Sequence, residues 1–178
     1  MSAAKTLSAA EIHTALDRLA RSISERHRAD SKVVLLGIAN GGITLARRLG
    51  ARLGLKHVGT VDISFHRDDI GRNPIPKEFS PTVIPVDVTG AVVILVDDVL
   101  FSGRTVKAAL DELFDHGRPA KVELAVLIDR GSHKLPIAAD YVGLTLEARE
   151  AEKIHVVLDP AHPANDIVQI SSAKSSAR

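Results

Sequence analysis

"VVILVDDVLFSGRTVKAAL", residues 92 to 110, joins three kinds of sequence in one short window. Residues 92–96 are a run of apolar β-formers. Asp97 and Asp98 then set two carboxylates side by side. Phe101-Ser102-Gly103-Arg104-Thr105 is a turn rich in small residues, and Val106, Ala109, Leu110, Leu113 and Phe114 follow at helical spacing. The reading is a strand ending at Val96, an acidic pair, a turn and a helix. A strand with no polar face is buried on both sides, as in parallel sheets covered by helices.

The residue types in the turn suit an anion. Gly103 lets the backbone approach closely, and a helix N-terminus presents N–H groups that suit phosphate. Ser102 and Thr105 add hydroxyl donors, and Arg104 adds charge. Asp97 and Asp98 would repel phosphate. They accept hydrogen bonds from hydroxyls such as those on C2 and C3 of a ribose, and they can support a divalent cation. A Ser-Gly turn before a helix is by itself an ordinary connection. Beside a buried strand and paired acids, it points to a sugar with hydroxyls in its middle and phosphate at one end. The G-x-x-x-x-G-K spacing of a Walker A loop is absent.

Outward from this window the same alternation repeats. Ser8 and Glu11 have capping-box spacing, and Ile12, Ala15, Leu16, Leu19 and Ile23 mark a helix. Arg18, Arg21, Arg26 and Arg28 lie off that stripe. Such a basic face is ordinarily a solvated one; the alternative is a face toward an anion or RNA. Residues 33–38 read as a strand broken by Asn40-Gly41-Gly42, and Leu45, Ala46, Leu49 and Leu53 as a helix ending near Gly54. Residues 58–65 read as a strand. "HRDDIGRNPIPKEFSPTVIP" (66–85), with four prolines, reads as a long irregular loop of the kind that carries function. Residues 122–128 are another buried strand, "DRGSHKLP" a loop, and 141–144, 154–158 and 167–170 short strands. Residues 1–7 and 171–178 are expected to be disordered, and 67–84 to form a mobile loop. The two loops that follow strands, 39–42 and 97–105, should share the carboxyl edge of the sheet, where ligands bind in such folds.

Composition bounds the rest. The chain has 178 residues, one domain's worth, with 45% hydrophobic and 3% aromatic residues, so its core is aliphatic. A net charge of +1 gives no bulk argument for nucleic acid. Without cysteine, disulfides, thiolate metal sites and cysteine nucleophiles are excluded, and the eight histidines have no metal-type spacing. No apolar stretch is long enough to span a bilayer, and the first residues do not read as a signal peptide. The expectation is a cytoplasmic protein without membrane contact.

The 92–105 window resembles the phosphoribosyl-diphosphate (PRPP) signature of type I phosphoribosyltransferases. "VDISFHRDD" (61–69), "IPVDVTG" (84–90) and "LAVLIDRGSHKLPIAADYVG" (124–143) narrow the resemblance to the PyrR family, bifunctional regulators of pyrimidine operons and uracil phosphoribosyltransferases. The resemblance runs from about Leu7 to Ile170. It implies an α/β type I phosphoribosyltransferase fold, an open and mostly parallel sheet flanked by helices with a small hood.

The resemblance also implies a reaction and its residues. N1 of uracil displaces pyrophosphate from C1 of PRPP to give UMP, with Mg²⁺ on the diphosphate. Asp97 and Asp98 would meet the ribose hydroxyls and support Mg²⁺, mainly through PRPP. Phe101, Ser102, Gly103, Arg104 and Thr105 would hold the 5-phosphate, and Ala39, Asn40, Gly41 and Gly42 the pyrophosphate. Arg67 is assigned to catalysis. It opens a mobile loop with Asp68, Asp69, Arg72 and Lys77 that would cover the site. Arg130, Gly131, Leu135, Pro136 and Ile137 would form the base pocket, and His133 is read as a surface-loop histidine. Purine-salvage relatives carry Asp where Phe101 stands, so a pyrimidine is expected. The sequence departs from the family at Ala39-Asn40-Gly41-Gly42, where Thr-Arg-Gly is usual and a cation is lost.

The second implied role is UMP-sensing RNA binding with weak or no catalysis. Arg18, Arg21 and Arg26 keep one basic patch of the family. His133, Ala138 and Leu144 stand where basic residues are expected in the other, so RNA is held as the runner-up partner. A homodimer or higher homo-oligomer is also implied.

Overall fold

In the computed structural model, residues 6–27, 32–64, 81–149 and 151–172 are described. Two sheets form. The main sheet is wholly parallel, in the order β3-β2-β4-β5-β6, from β2 (Val33–Ile38), β3 (Val58–Val61), β4 (Val92–Leu100), β5 (Lys121–Asp129) and β6 (Tyr141–Thr145). A small antiparallel sheet, β1-β8-β7, joins β1 (Thr6–Leu7), β7 (Glu152–Val157) and β8 (Ile167–Ser172) as the hood. Its edges differ from the sequence expectation. Thr6 and Leu7, expected to be loose, pair with Gln169 and Val168, and Ser171 and Ser172 continue β8.

Alternation along each buried strand sorts the core onto two faces. Leu35, Ile94, Val96, Ala125 and Leu127 pack under helices α1 (Ala9–Arg26) and α2 (Gly41–Leu53). Val34, Leu36, Val93, Leu95, Leu124 and Val126 pack under α3 (Arg104–Asp115). Helix α1 starts where the capping box predicts. Glu11 N–H donates to Ser8 Oγ, and Ser8 N–H donates to Glu11 Oε2 at 2.8 Å. Gly54, at φ +67°, ends α2. In α3 the apolar stripe is narrower than the spacing suggests. Val106, Ala109 and Leu113 are buried, whereas Phe114 is 41% exposed, with Arg118 over its ring.

The third strand is shorter than expected, ending at Val61. The stretch read as wholly irregular keeps one regular contact: Thr60 and Val83 exchange both backbone hydrogen bonds at 2.9 Å.

The chain moves from β2 outward to β3, then back past β2 to β4. The crevice where connections leave in opposite directions therefore lies between the carboxyl ends of β2 and β4. The hood is tied to the main body by a buried carboxylate. Asp166 accepts from Arg48 of α2, from His13 of α1 at 3.1 Å and from Asp159 N–H at 2.9 Å. Burial raises the pKa of Asp166, but these donors outweigh it and hold the pKa below the ordinary carboxylate value.

Candidate active site

Strand β4 runs to Leu100, not to Val96 as expected, so Asp97 and Asp98 lie inside it. This changes what the pair does. Neighbouring residues of a strand face opposite sides. Asp97 continues the Val93–Leu95 side and lines a cavity of about 130 Å³ with Phe101, Ser102, Gly103, Thr105 and Val106. Asp98 continues the other side and meets the start of α2; a Cβ built on Gly41 would lie 2.5 Å from its carboxylate. One acid serves the loop after β4, and the other serves the loop after β2.

Neither acid has a cation beside it among the described residues. Asp97 is buried, and its Oδ1 accepts the Asp98 N–H at 3.0 Å. Burial, then the charge of Asp98, pushes Asp97 well above the ordinary carboxylate pKa; burial raises Asp98 too. A site of this kind gains from a ligand that donates hydroxyls or brings positive charge.

The turn after β4 is shaped for close approach. Gly103, at φ +88°, stands at the N-cap of α3, and Ser102 Oγ accepts from Arg104 N–H at 3.2 Å. A Cβ at Gly103 would come within 3.2 Å of Leu135 and 3.4 Å of Ile137. Residues 130–137 clasp this turn: the N–H groups of Lys134 and Leu135 donate to Ser102 C=O at 3.1 and 3.0 Å, and Arg130 N–H donates to Leu100 C=O at 3.1 Å. Asp129 Oδ1 shapes the clasp by accepting from Gly131 N–H at 2.8 Å and pairing with His133 Nε2 at 2.9 Å. His133, read as a surface residue, is thus half-buried and fixed in a turn. Leu135 and Ile137 fall beside the Ser102–Thr105 turn, with exposed Pro136 between them. Arg130 is buried behind it with its guanidinium 3.9 Å from the Phe101 ring centre.

At the end of β2 the Ala39–Asn40 peptide is cis, and α2 begins at Gly41. A Cβ on Gly42 would lie 2.0 Å from Val96 C=O, so glycine is required for the helix to seat on β4. Asn40 makes no side-chain cap. A second cavity, about 280 Å³, opens between Asn40, Gly41 and Thr44 on one side and Val156, Val157 and Leu158 of the hood on the other. Thr44 was not singled out from the sequence, although a hydroxyl one turn after Gly-Gly was the available signal. The hood segment carried none.

Arg67, Asp68, Asp69, Arg72 and Lys77 lie outside the described residues. Of the proposed RNA-facing residues, Arg18 and Arg21 line a groove of about 330 Å³ on α1 with Thr14, Asp17 and Ser22, and Arg18 also donates to Gly143 C=O at 3.1 Å. Arg26 is committed elsewhere: it pairs with Asp140 at 3.2 Å and lies over Tyr141, 4.8 Å from the ring centre. Among the described residues, no cluster of three metal-type side chains occurs, and no helix is long and apolar enough to cross a membrane.

Comparison with known proteins agrees with this geometry. A family model described as "Phosphoribosyl transferase domain" matches residues 8–162. Proteins named "Bifunctional protein PyrR" are close relatives. The one from Chloroflexus aurantiacus is 46% identical over 91% of this chain and 92% of its own length. The one from Bacillus subtilis is 44% identical over 89% and 91%. Among solved structures, a hypoxanthine-guanine phosphoribosyltransferase from Bacillus anthracis superposes with a TM-score of 0.67 at 21% identity, over 94% of this chain and 99% of that one. A hypoxanthine phosphoribosyltransferase from Trypanosoma cruzi gives 0.65 at 19% identity, over 93% and 94%. These likenesses to solved structures bear on the fold.

Proposed function

The chain belongs to the phosphoribosyltransferase family, within its PyrR group, and from that premise we propose that it transfers the phosphoribosyl group of PRPP to uracil, giving UMP and pyrophosphate. The observation that carries the reading is the division of labour around β4. Asp97 borders the Ser102–Thr105 turn, and Asp98 borders Gly41. A ribose laid across the strand end would have its 5-phosphate in the turn and its diphosphate toward α2. Its hydroxyls would lie over the acids.

The chemistry follows from that placement. The bond from C1 to the diphosphate oxygen breaks as N1 of uracil bonds to C1, and the N1 proton is released. Positive charge builds on the ribose ring, so holding both partners in line and stabilising the departing diphosphate provide most of the acceleration. Asp97 and Asp98 orient the hydroxyls. The N-terminal N–H groups of α2 and the Asn40 carboxamide face the diphosphate. With no cation in residues 39–42, this chain stabilises the leaving group there by neutral donors. Mg²⁺ fits the donor set, because two carboxylates without a protein cation can share one that is held mainly by PRPP oxygens. Bound there, it would supply charge neutralisation on the diphosphate.

Phe101 supports the choice of a pyrimidine, since it offers no acid to exchange a proton with a purine ring. The test is a nucleobase panel with PRPP and Mg²⁺. UMP from uracil, with little product from hypoxanthine or guanine, is expected, and no UMP at high protein concentration would defeat the reading.

A second reading, RNA binding under control of UMP, is favoured by the Arg18–Arg21 groove, whereas the commitment of Arg26 weakens it. Tighter binding of pyrimidine-leader RNA than of unrelated RNA, enhanced by UMP, is its expected signature. A homodimer or larger homo-oligomer and a cytoplasmic location belong to the same proposal. Light scattering of the purified protein reports the former.

A further inference from the structure

Arg130 is a buried cation at the meeting point of three segments, and, behind the hydrogen bonds from Arg149, its charge helps hold the Glu152 carboxyl below the ordinary carboxylate pKa. Arg130 is 7% exposed. Nη2 donates to Arg149 C=O at 2.9 Å, and the guanidinium stacks on Phe101 at 3.9 Å. Nε is buried with no hydrogen-bond partner among the described residues. An unpaired buried donor carries a desolvation cost that an apolar side chain of the same length avoids. Three segments meet at this side chain. Phe101 opens the phosphate turn. Arg130 itself opens the clasp whose Lys134 and Leu135 hold Ser102. The Arg149 carbonyl also accepts from Glu152 N–H at 2.8 Å, where β7 of the hood begins.

We propose that Arg130 is a positioning residue that pins Phe101 by planar stacking, so that the 5-phosphate turn, the base clasp and the entry to the hood form one rigid wall against which the base is selected. The inference rests on the phosphoribosyltransferase reading and deepens it. In this reading Arg130 acts through another side chain. It fixes Phe101, which lines the cavity beside Asp97. Stacking needs the flat guanidinium, which lysine lacks although it keeps the charge.

The test compares wild type with Arg130→Met, Arg130→Lys, Phe101→Leu and the Arg130→Met/Phe101→Leu double variant. The readouts are kcat/KM on the nucleobase panel, PRPP affinity by calorimetry, and Tm. Both Arg130 variants should lose about 10–100-fold in kcat/KM for the preferred base, as expected when a binding wall shifts by a fraction of an ångström to an ångström. They should bind PRPP about 3–10-fold more weakly through loss of preorganisation. Tm should stay within about 3 °C, on the scale of a small stability change. The double variant should be no worse than the weaker single, because both substitutions remove one contact.

Wild-type kcat/KM and PRPP affinity in Arg130→Lys would overturn the inference, and so would strictly additive losses in the double variant. A loss of activity matched by a collapse in Tm that lysine restores would also overturn it, leaving a structural cation. Wild type that binds PRPP but makes no UMP overturns the uracil reading alone; the PRPP affinities of the variants then decide the inference.

Discussion

Two carboxylates lie buried in neighbouring strands of one sheet and are treated in opposite ways. Glu123, in β5 opposite Ile94, has a fully buried side chain surrounded by donors. Lys121 Nζ and Tyr141 Oη donate to it at 2.6 Å, and His27 Nε2 pairs with it at 2.7 Å. Burial would raise its pKa, but these contacts outweigh that and hold it at about 2. Asp97, near the carboxyl end of β4, is buried beside a second acid and is pushed up. The protein gives Glu123 its partners, as a carboxylate that serves the fold needs. It leaves Asp97 without a cation among the described residues, which is the arrangement the proposed ligand site requires.

Four experiments press on that contrast, beginning with the largest effect. Asp97→Asn or Asp98→Asn should lower kcat/KM for UMP formation by about 100-fold or more, on the scale of losing a charged group that acts at the transition state. Activity at the wild-type level would break the assignment.

Glu123→Gln should leave kcat/KM near wild type and cost on the order of 3 kcal/mol at pH 7, judged from a pKa of about 2 against 4.5. By thermal unfolding that is a fall of about 6–12 °C in Tm. Because the folded pKa is depressed, this contribution is present above pH 4.5 and is lost as pH falls toward about 2, so the gap between variant and wild type should close in acid.

Asp97→Asn should have the opposite sign. A folded pKa above the ordinary value costs stability once pH exceeds 3.8, and the cost grows until the folded group ionises. The variant should therefore match wild type in acid and melt at a higher temperature at pH 7. A lower Tm at pH 7 would place Asp97 with Glu123 as a structural acid. Last, Asp17→Ala removes the exposed partner of Arg52, paired at 2.7 Å, and should leave Tm unchanged within measurement, as solvated ion pairs usually do.

Much of this was legible in residue order. Ser8 and Glu11 marked the start of α1, the apolar runs at 33–38 and 122–128 marked buried strands, and Gly103 marked the turn that opens α3. These are short-range signals, set by hydrogen bonds and side-chain periods within a few residues. Phe114 misled, because a helical period does not say how much of a helix surface its neighbours cover. The pairing of Arg26 with Asp140 and Tyr141 left no local signal, since those partners lie more than 90 residues away in the chain.

By itself, then, the order of residues determined the alternation of strand and helix, the acidic pair beside a phosphate-type turn, and the kinship that names the chemistry. Only the tertiary structure decided that β4 continues past Val96, sending Asp97 and Asp98 to opposite faces toward different loops. It alone set Arg130 on Phe101 and surrounded Glu123 with donors from α1, β5 and β6. The physical reason is range. A dihedral preference or an apolar period is written locally, whereas burial, charge pairing and stacking depend on which distant segments the sheet register brings within a few ångströms.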